Sequence, residues 1–73
     1  MNRPVKHSLT LRGHRTSVSL EEDFWQAFRA IARDRGQPIN ALAAEIDEAR
    51  DFDTGLASAI RLFVLRHYRD GHG

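Results

Sequence analysis

From Ser8 to Leu20 polar and apolar residues alternate in two short runs, and at Glu21 the alternation stops. The runs are Ser8-Leu9-Thr10-Leu11 and Thr16-Ser17-Val18-Ser19-Leu20. A period of two is that of an extended strand with one face covered. The apolar positions are 9 and 11 in the first run and 18 and 20 in the second, so Arg12-Gly13-His14 has to absorb an odd step. Gly13 adopts positive φ without a Cβ penalty, which leaves a bulge or a tight hairpin as the two expectations here. From Glu21 onward the period is helical. The chain therefore reads as mainly α with a short β element at its start.

The first helix is expected over residues 21 to 35. Glu21-Glu22-Asp23 places acids at the positive end of the helix dipole, and Ser19-Leu20-Glu21-Glu22 fits a capping box. The apolar face runs through Phe24, Phe28, Ile31 and Ala32, with Trp25 and Ala27 beside it; Trp25, offset from that face, is expected as a half-buried cover residue. Arg33 and Arg35 close the last turn, and Gly36 stands where a C′ glycine belongs. Pro38 is expected at the N1 position of a second helix, with Ile39, Leu42, Ala43 and Ile46 as its stripe and Glu45, Asp47 and Glu48 on its wet side. After the break at Asp51-Phe52-Asp53-Thr54-Gly55, a third helix is expected over residues 55 to 69, capped by Asp53 or Thr54. Its apolar residues (Leu56, Ala57, Ile60, Leu62, Phe63, Val64, Leu65, Tyr68) cover more than one stripe, as if buried on two sides, one of them against a second chain. Residues 1 to 7 and 70 to 73 read as flexible ends.

Size and charge narrow the function. A chain of 73 residues without cysteine holds one domain, with no disulfide framework and no thiolate metal site. Domains this small bury only about 60% of their unfolded surface, so a homodimer is expected. The four histidines, His7, His14, His67 and His72, lack metal-ligand spacing; no metal and no cofactor is expected. Neither a nucleophile elbow nor a paired carboxylate points to an enzyme. No apolar run approaches a membrane span, and no apolar leader comes after Met1; the expected setting is cytoplasmic. The formal charge of +1 conceals an asymmetry. Residues 1–19 carry Arg3, Lys6, Arg12 and Arg15 and no acid, whereas the rest of the chain is acidic on balance. A basic arm on an acidic body points toward nucleic acid.

The segment Gly13-His14-Arg15-Thr16-Ser17-Val18-Ser19-Leu20, then Phe24-Trp25, the Arg35-Gly36 turn, and Pro38-Ile39-Asn40-Ala41-Leu42-Ala43-Ala44-Glu45-Ile46-Asp47 together resemble the ribbon-helix-helix DNA-binding family, in a bacterial subgroup with an added C-terminal helix. The resemblance covers residues 15 to 48. It implies a homodimer whose two-stranded antiparallel ribbon forms between chains, and three parts: a basic flexible or extended arm at 1–14, a ribbon-helix-helix core at 15–50, and a C-terminal helix at 51–73 that extends the dimer core. Val18, Leu20, Phe24, Phe28, Ile31, Leu42, Ile46, Ile60 and Phe63 would form that core. One ribbon face would present Arg15, Ser17 and Ser19 to base edges in the major groove of double-stranded DNA. Arg3, Lys6, Arg12, His14 and Asn40 would meet phosphates, although Pro38 stands where the family commonly has a serine or threonine. The implied function is a transcriptional repressor or autoregulator on a pseudo-palindromic operator, with two dimers side by side as an option. The alternatives are an antitoxin or other protein-interaction module of the same fold, whose C-terminal part would hold a protein partner, and a dimerisation domain without DNA.

Overall fold

The computed structural model describes residues 3–71. Five elements come in chain order: strands β1 (Pro4–Leu11) and β2 (His14–Glu21), then helices α1 (Glu22–Asp34), α2 (Ile39–Ala49) and α3 (Leu56–Arg69). The two strands form an antiparallel sheet whose register runs from Leu11↔His14 at the turn to Pro4↔Glu21 at the open end. Arg12 (φ 52°) and Gly13 (φ 83°) make the two-residue connection. Positive φ at both central positions is the signature of the turn whose twist matches that of the strands it joins. The odd step between the alternating runs is thus absorbed by a hairpin and not by a bulge.

Two expectations change as a result. Strand β1 begins at Pro4 and not at Ser8, so the stretch from Pro4 to His7 is paired backbone and not a flexible arm; Met1 and Asn2 lie outside the described residues. Within the chain, moreover, β2 is paired with β1 along one edge. β2 is therefore not a lone strand: the Arg12-Gly13 turn brings β1 alongside it.

Each edge of the hairpin is tied to a helix. Alternate pairs of an antiparallel ladder exchange backbone bonds, and the pairs between them point their polar groups outward. Thr10 and Ser19 belong to the outward set with Pro4, which has no N–H to give. The Thr10 N–H donates to Asn40 Oδ1 on α2 at 3.1 Å. On the opposite edge, Arg61 Nη2 of α3 donates to the Ser19 carbonyl at 3.2 Å.

Helix α1 carries Glu22 and Asp23 in its first turn. Its N-cap is Glu21 without a side-chain cap bond, so the expected capping box is absent: Ser19 is inside β2. At the other end, Gln37 N–H donates to Ala32 C=O (2.9 Å) and Gly36 N–H to Arg33 C=O (3.0 Å) around Gly36 at φ 67°. This is a Schellman motif. Pro38 is the N-cap of α2 and not N1; its carbonyl accepts from the Ala41 and Leu42 N–H groups. Gly55, and not Asp53 or Thr54, is the N-cap of α3. Of the end expected to fray at 70–73, Asp70 is the C-cap of α3 and Gly71 N–H donates to Tyr68 C=O at 3.2 Å, while residues 72 and 73 lie outside the described residues.

The three helices pack on one face of the hairpin. Leu9, Val18, Leu20, Phe28, Ile31, Leu42, Ile46, Ile60 and Val64 are buried, with Ala32 and Ala43 at the close approaches. Residues expected to need a dimer are therefore covered within one chain, while Phe24 and Phe63 are half-buried at its margin. Burying each large apolar side chain contributes about 1.5–3 kcal/mol. Among the described residues no helix is long and apolar enough to cross a membrane.

Candidate nucleic-acid interface

Side chains alternate across a strand, and directly opposite residues of an antiparallel pair share a face. The register therefore sorts the hairpin into two surfaces. Val5, His7, Leu9 and Leu11 on β1 lie with His14, Thr16, Val18 and Leu20 on β2, on the side of the helices. The other side presents Lys6, Ser8 and Thr10 opposite Ser19, Ser17 and Arg15, and all six are exposed. Arg15, Ser17 and Ser19, expected to act together, do share this face.

Lys6, Ser8 and Thr10 complete the face. Lys6 is expected from the sequence only at phosphates, and the two hydroxyl residues do not stand out there. Their signal lies in the same alternation: once a two-residue turn at Arg12-Gly13 is chosen, pairing is set and β1 must add its polar positions to those of β2. The resulting surface is hydroxyl-rich and carries two cations without an acid. Glu21, at its open end, is engaged: Arg61 donates to both carboxylate oxygens, at 2.8 and 3.2 Å. That bidentate bond, then a backbone hydrogen bond and the guanidinium charge, hold the Glu21 carboxyl below the ordinary glutamate range, against an opposing desolvation effect. Arg61 also lies over the Phe24 ring, 6.0 Å from its centroid. It anchors the end of the ribbon, a role that spacing in the sequence does not reveal.

The remaining expected contacts are spread around this face. Arg3 is exposed just before β1. His14 is exposed at the turn but belongs to the opposite face. Arg12 is ion-paired with Glu48 on α2, both side chains more than half exposed. Asn40 is exposed beside the edge of β1, and its carbonyl oxygen accepts from Thr10 N–H. Beneath the ribbon, Trp25 is half-buried and stacks on His7, with ring centroids 3.9 Å apart and planes 9° from parallel. His7 Nε2 is buried without a hydrogen-bond partner, 3.8 Å from Glu22 Oε1.

The acids of α2 are not a free solvated face. Glu48 holds Arg12, Asp47 holds Arg50 at 2.8 Å, and Glu45 receives Gln37 and lies 3.7 Å from Arg35. Among the described residues no group of three His, Asp or Glu side chains converges to hold a metal ion.

Comparison with known proteins agrees with this architecture. A family model described as "Ribbon-helix-helix domain" matches residues 4–68. No curated protein matches the chain, and no solved structure does. The matched span runs from the first strand into the last turns of α3 and so takes in the ribbon and all three helices. The chain belongs to the ribbon-helix-helix family, a non-enzymatic fold of DNA-binding and regulatory proteins.

Proposed function

We propose that the chain is a sequence-specific double-stranded DNA-binding protein, a bacterial transcriptional repressor or autoregulator, that reads the major groove with the outward face of its hairpin. The observation that carries this reading is the shared exposed face of Lys6, Ser8, Thr10, Arg15, Ser17 and Ser19. Two strands about 4.8 Å apart, with their side chains, fit a groove about 12 Å wide. Arg15 suits the O6 and N7 of a guanine, and the hydroxyls donate or accept at either kind of base pair. Arg3 and Lys6 at the open end, with the Asn40 amide at the edge, suit phosphates. Arg12 must leave Glu48 to join them. Two chains on a pseudo-palindromic site double this footprint.

Selection of bound fragments from a random duplex pool at near-physiological salt tests the reading. An enriched palindrome is expected. Arg15→Ala should weaken binding to it by about 1–3 kcal/mol and relax the preference at one base position. Lys6→Ala should weaken binding to all sequences alike and lower the salt slope by about one. If no sequence is enriched and Arg15→Ala changes nothing, the ribbon does not read DNA.

A further inference from the structure

Among the described residues, two buried side-chain polar atoms lack a hydrogen-bond partner, His7 Nε2 and Gln37 Oε1. A buried polar atom without a partner calls for an explanation. Gln37 is anchored through its other amide atom, which donates to Glu45. His7 Nε2 instead stands 3.8 Å from Glu22 Oε1, beyond hydrogen-bond reach.

The surroundings of His7 suit a cation. It lies on the helix side of β1, opposite the apolar Val18, with its side chain 20% exposed. Its ring is flat on Trp25, the centroids 3.9 Å apart and the planes 9° from parallel. Glu22 and Trp25 are three positions apart on α1 and so share one row of that helix. The second oxygen of Glu22 accepts from Gln26 Nε2 at 2.6 Å, so the carboxylate is held by its own helix with Oε1 toward His7. An indole face and a carboxylate both favour a positive charge beside them. The other charged groups of the neighbouring elements are engaged elsewhere or exposed. Glu21 at the end of β2 is bound by Arg61 of α3. On α2, Glu45 lies by Arg35, Asp47 holds Arg50 and Glu48 holds Arg12. Arg29, one turn beyond Trp25 on α1, is exposed.

We infer that His7 is a proton-operated latch between the hairpin and α1. In the neutral ring Nε2 faces Glu22 across a gap. A proton makes both ring nitrogens donors, and a movement of about 1 Å then brings Nε2 to the length of a charge-assisted bond to Glu22. The ring keeps its place on Trp25, now as a cation over an indole. The open half of β1 is thereby fastened to the first turn of α1. Histidine is the side chain whose charge ordinarily changes between about pH 5 and 8, so the latch works in a range that cells reach. Lys6 and Ser8, the neighbours of His7 in β1, are on the outward face of the hairpin, and the latch governs how firmly that half of the surface is held. The latch does not depend on whether that face binds DNA.

Trp25 is the chain's one tryptophan, and an imidazolium stacked on an indole quenches its fluorescence. The emission of the full chain without DNA, titrated from about pH 8 to about pH 5, should fall in one step while the far-UV circular dichroism stays constant. His7→Phe keeps a ring on Trp25 but carries no proton, and its emission should lose that step. Glu22→Gln, at a half-exposed position, should keep the step and move it to lower pH, because the opposite charge that favours the imidazolium is gone. Constant emission of the wild type overturns the proposal. A step that coincides with loss of helical signal is unfolding and overturns it too. So does a step that survives in His7→Phe, since the proton is then on another group. A step at the wild-type pH in Glu22→Gln means that no bond to Glu22 forms, and the latch fails even though His7 titrates.

Discussion

Arg61 and Glu21 show how a residue pair far apart in the sequence places a site. Glu21 ends β2 and begins α1, and the bidentate bond from Arg61 holds that junction against α3. Because the Glu21 carboxyl is held below its ordinary value of 4.5, chiefly by the Arg61 hydrogen bond, its contribution to stability has a defined pH window. It is fully present above pH 4.5 and is lost as pH falls through the lower folded value. Thermal melts of the wild type and of Glu21→Gln should therefore differ by a constant amount from neutrality down to that point and converge in stronger acid. A difference that persists unchanged in strong acid would mean that the ion pair is not its source. Nothing in the spacing of Glu21 and Arg61 announces this pair. The acids around Glu21 satisfy a helix dipole whatever α3 does, so the sequence is equally content without the contact.

At the scale of elements, glycine punctuation does most of the organising. Gly13 and Gly36 both have positive φ, and a Cβ at either position would meet nothing within 4 Å. Gly13→Ala and Gly36→Ala should each cost about 1–2 kcal/mol through backbone strain alone, read as a lowered urea midpoint with an unchanged slope. The glycine at the end of α1 was legible because its physics is local: a helix that ends in Arg35-Gly36 closes with bonds reaching only a turn back along its own chain. Capping was less legible. Ser19 satisfies the capping-box spacing, yet β2 continues through it, because pairing opposite Lys6 and burial of Leu20 keep the backbone extended up to Glu21. Asn40 likewise has a polar side chain at a helix start, and its oxygen went to the edge of β1.

For the whole molecule, α3 is a structural part of the domain and not an appendage. Ile60 is fully buried and Val64 nearly so, in the same core as Leu20 and Phe28. Ile60→Ala should destabilise the entire domain by about 2–5 kcal/mol. Trp25, stacked on His7 of β1, provides a probe outside α3. Its fluorescence and the far-UV circular dichroism should shift to lower denaturant together, as in a two-state transition. If only the circular dichroism moved, α3 would be melting separately. One chain alone covers this core, and among the large apolar side chains it leaves Phe52, Leu62, Leu65 and Tyr68 exposed.

The sequence by itself determined what short-range physics determines. Alternation at 8–11 and 16–20 specified strands, the stripe from Phe24 to Ile31 specified α1, and Gly13 and Gly36 marked where the chain turns. It also determined that Arg15, Ser17 and Ser19 share a face, since that is a consequence of strand geometry alone. Only the tertiary structure decided that β1 stands beside β2 within the chain and in which register, because alternation alone does not name a strand's neighbour. That choice brought Lys6, Ser8 and Thr10 onto the exposed face. It decided as well that Arg12 is paired with Glu48 and that Arg61 reaches Glu21. Those partners lie 36 and 40 positions apart, and local periodicity carries no information about which distant charge a folded chain brings near.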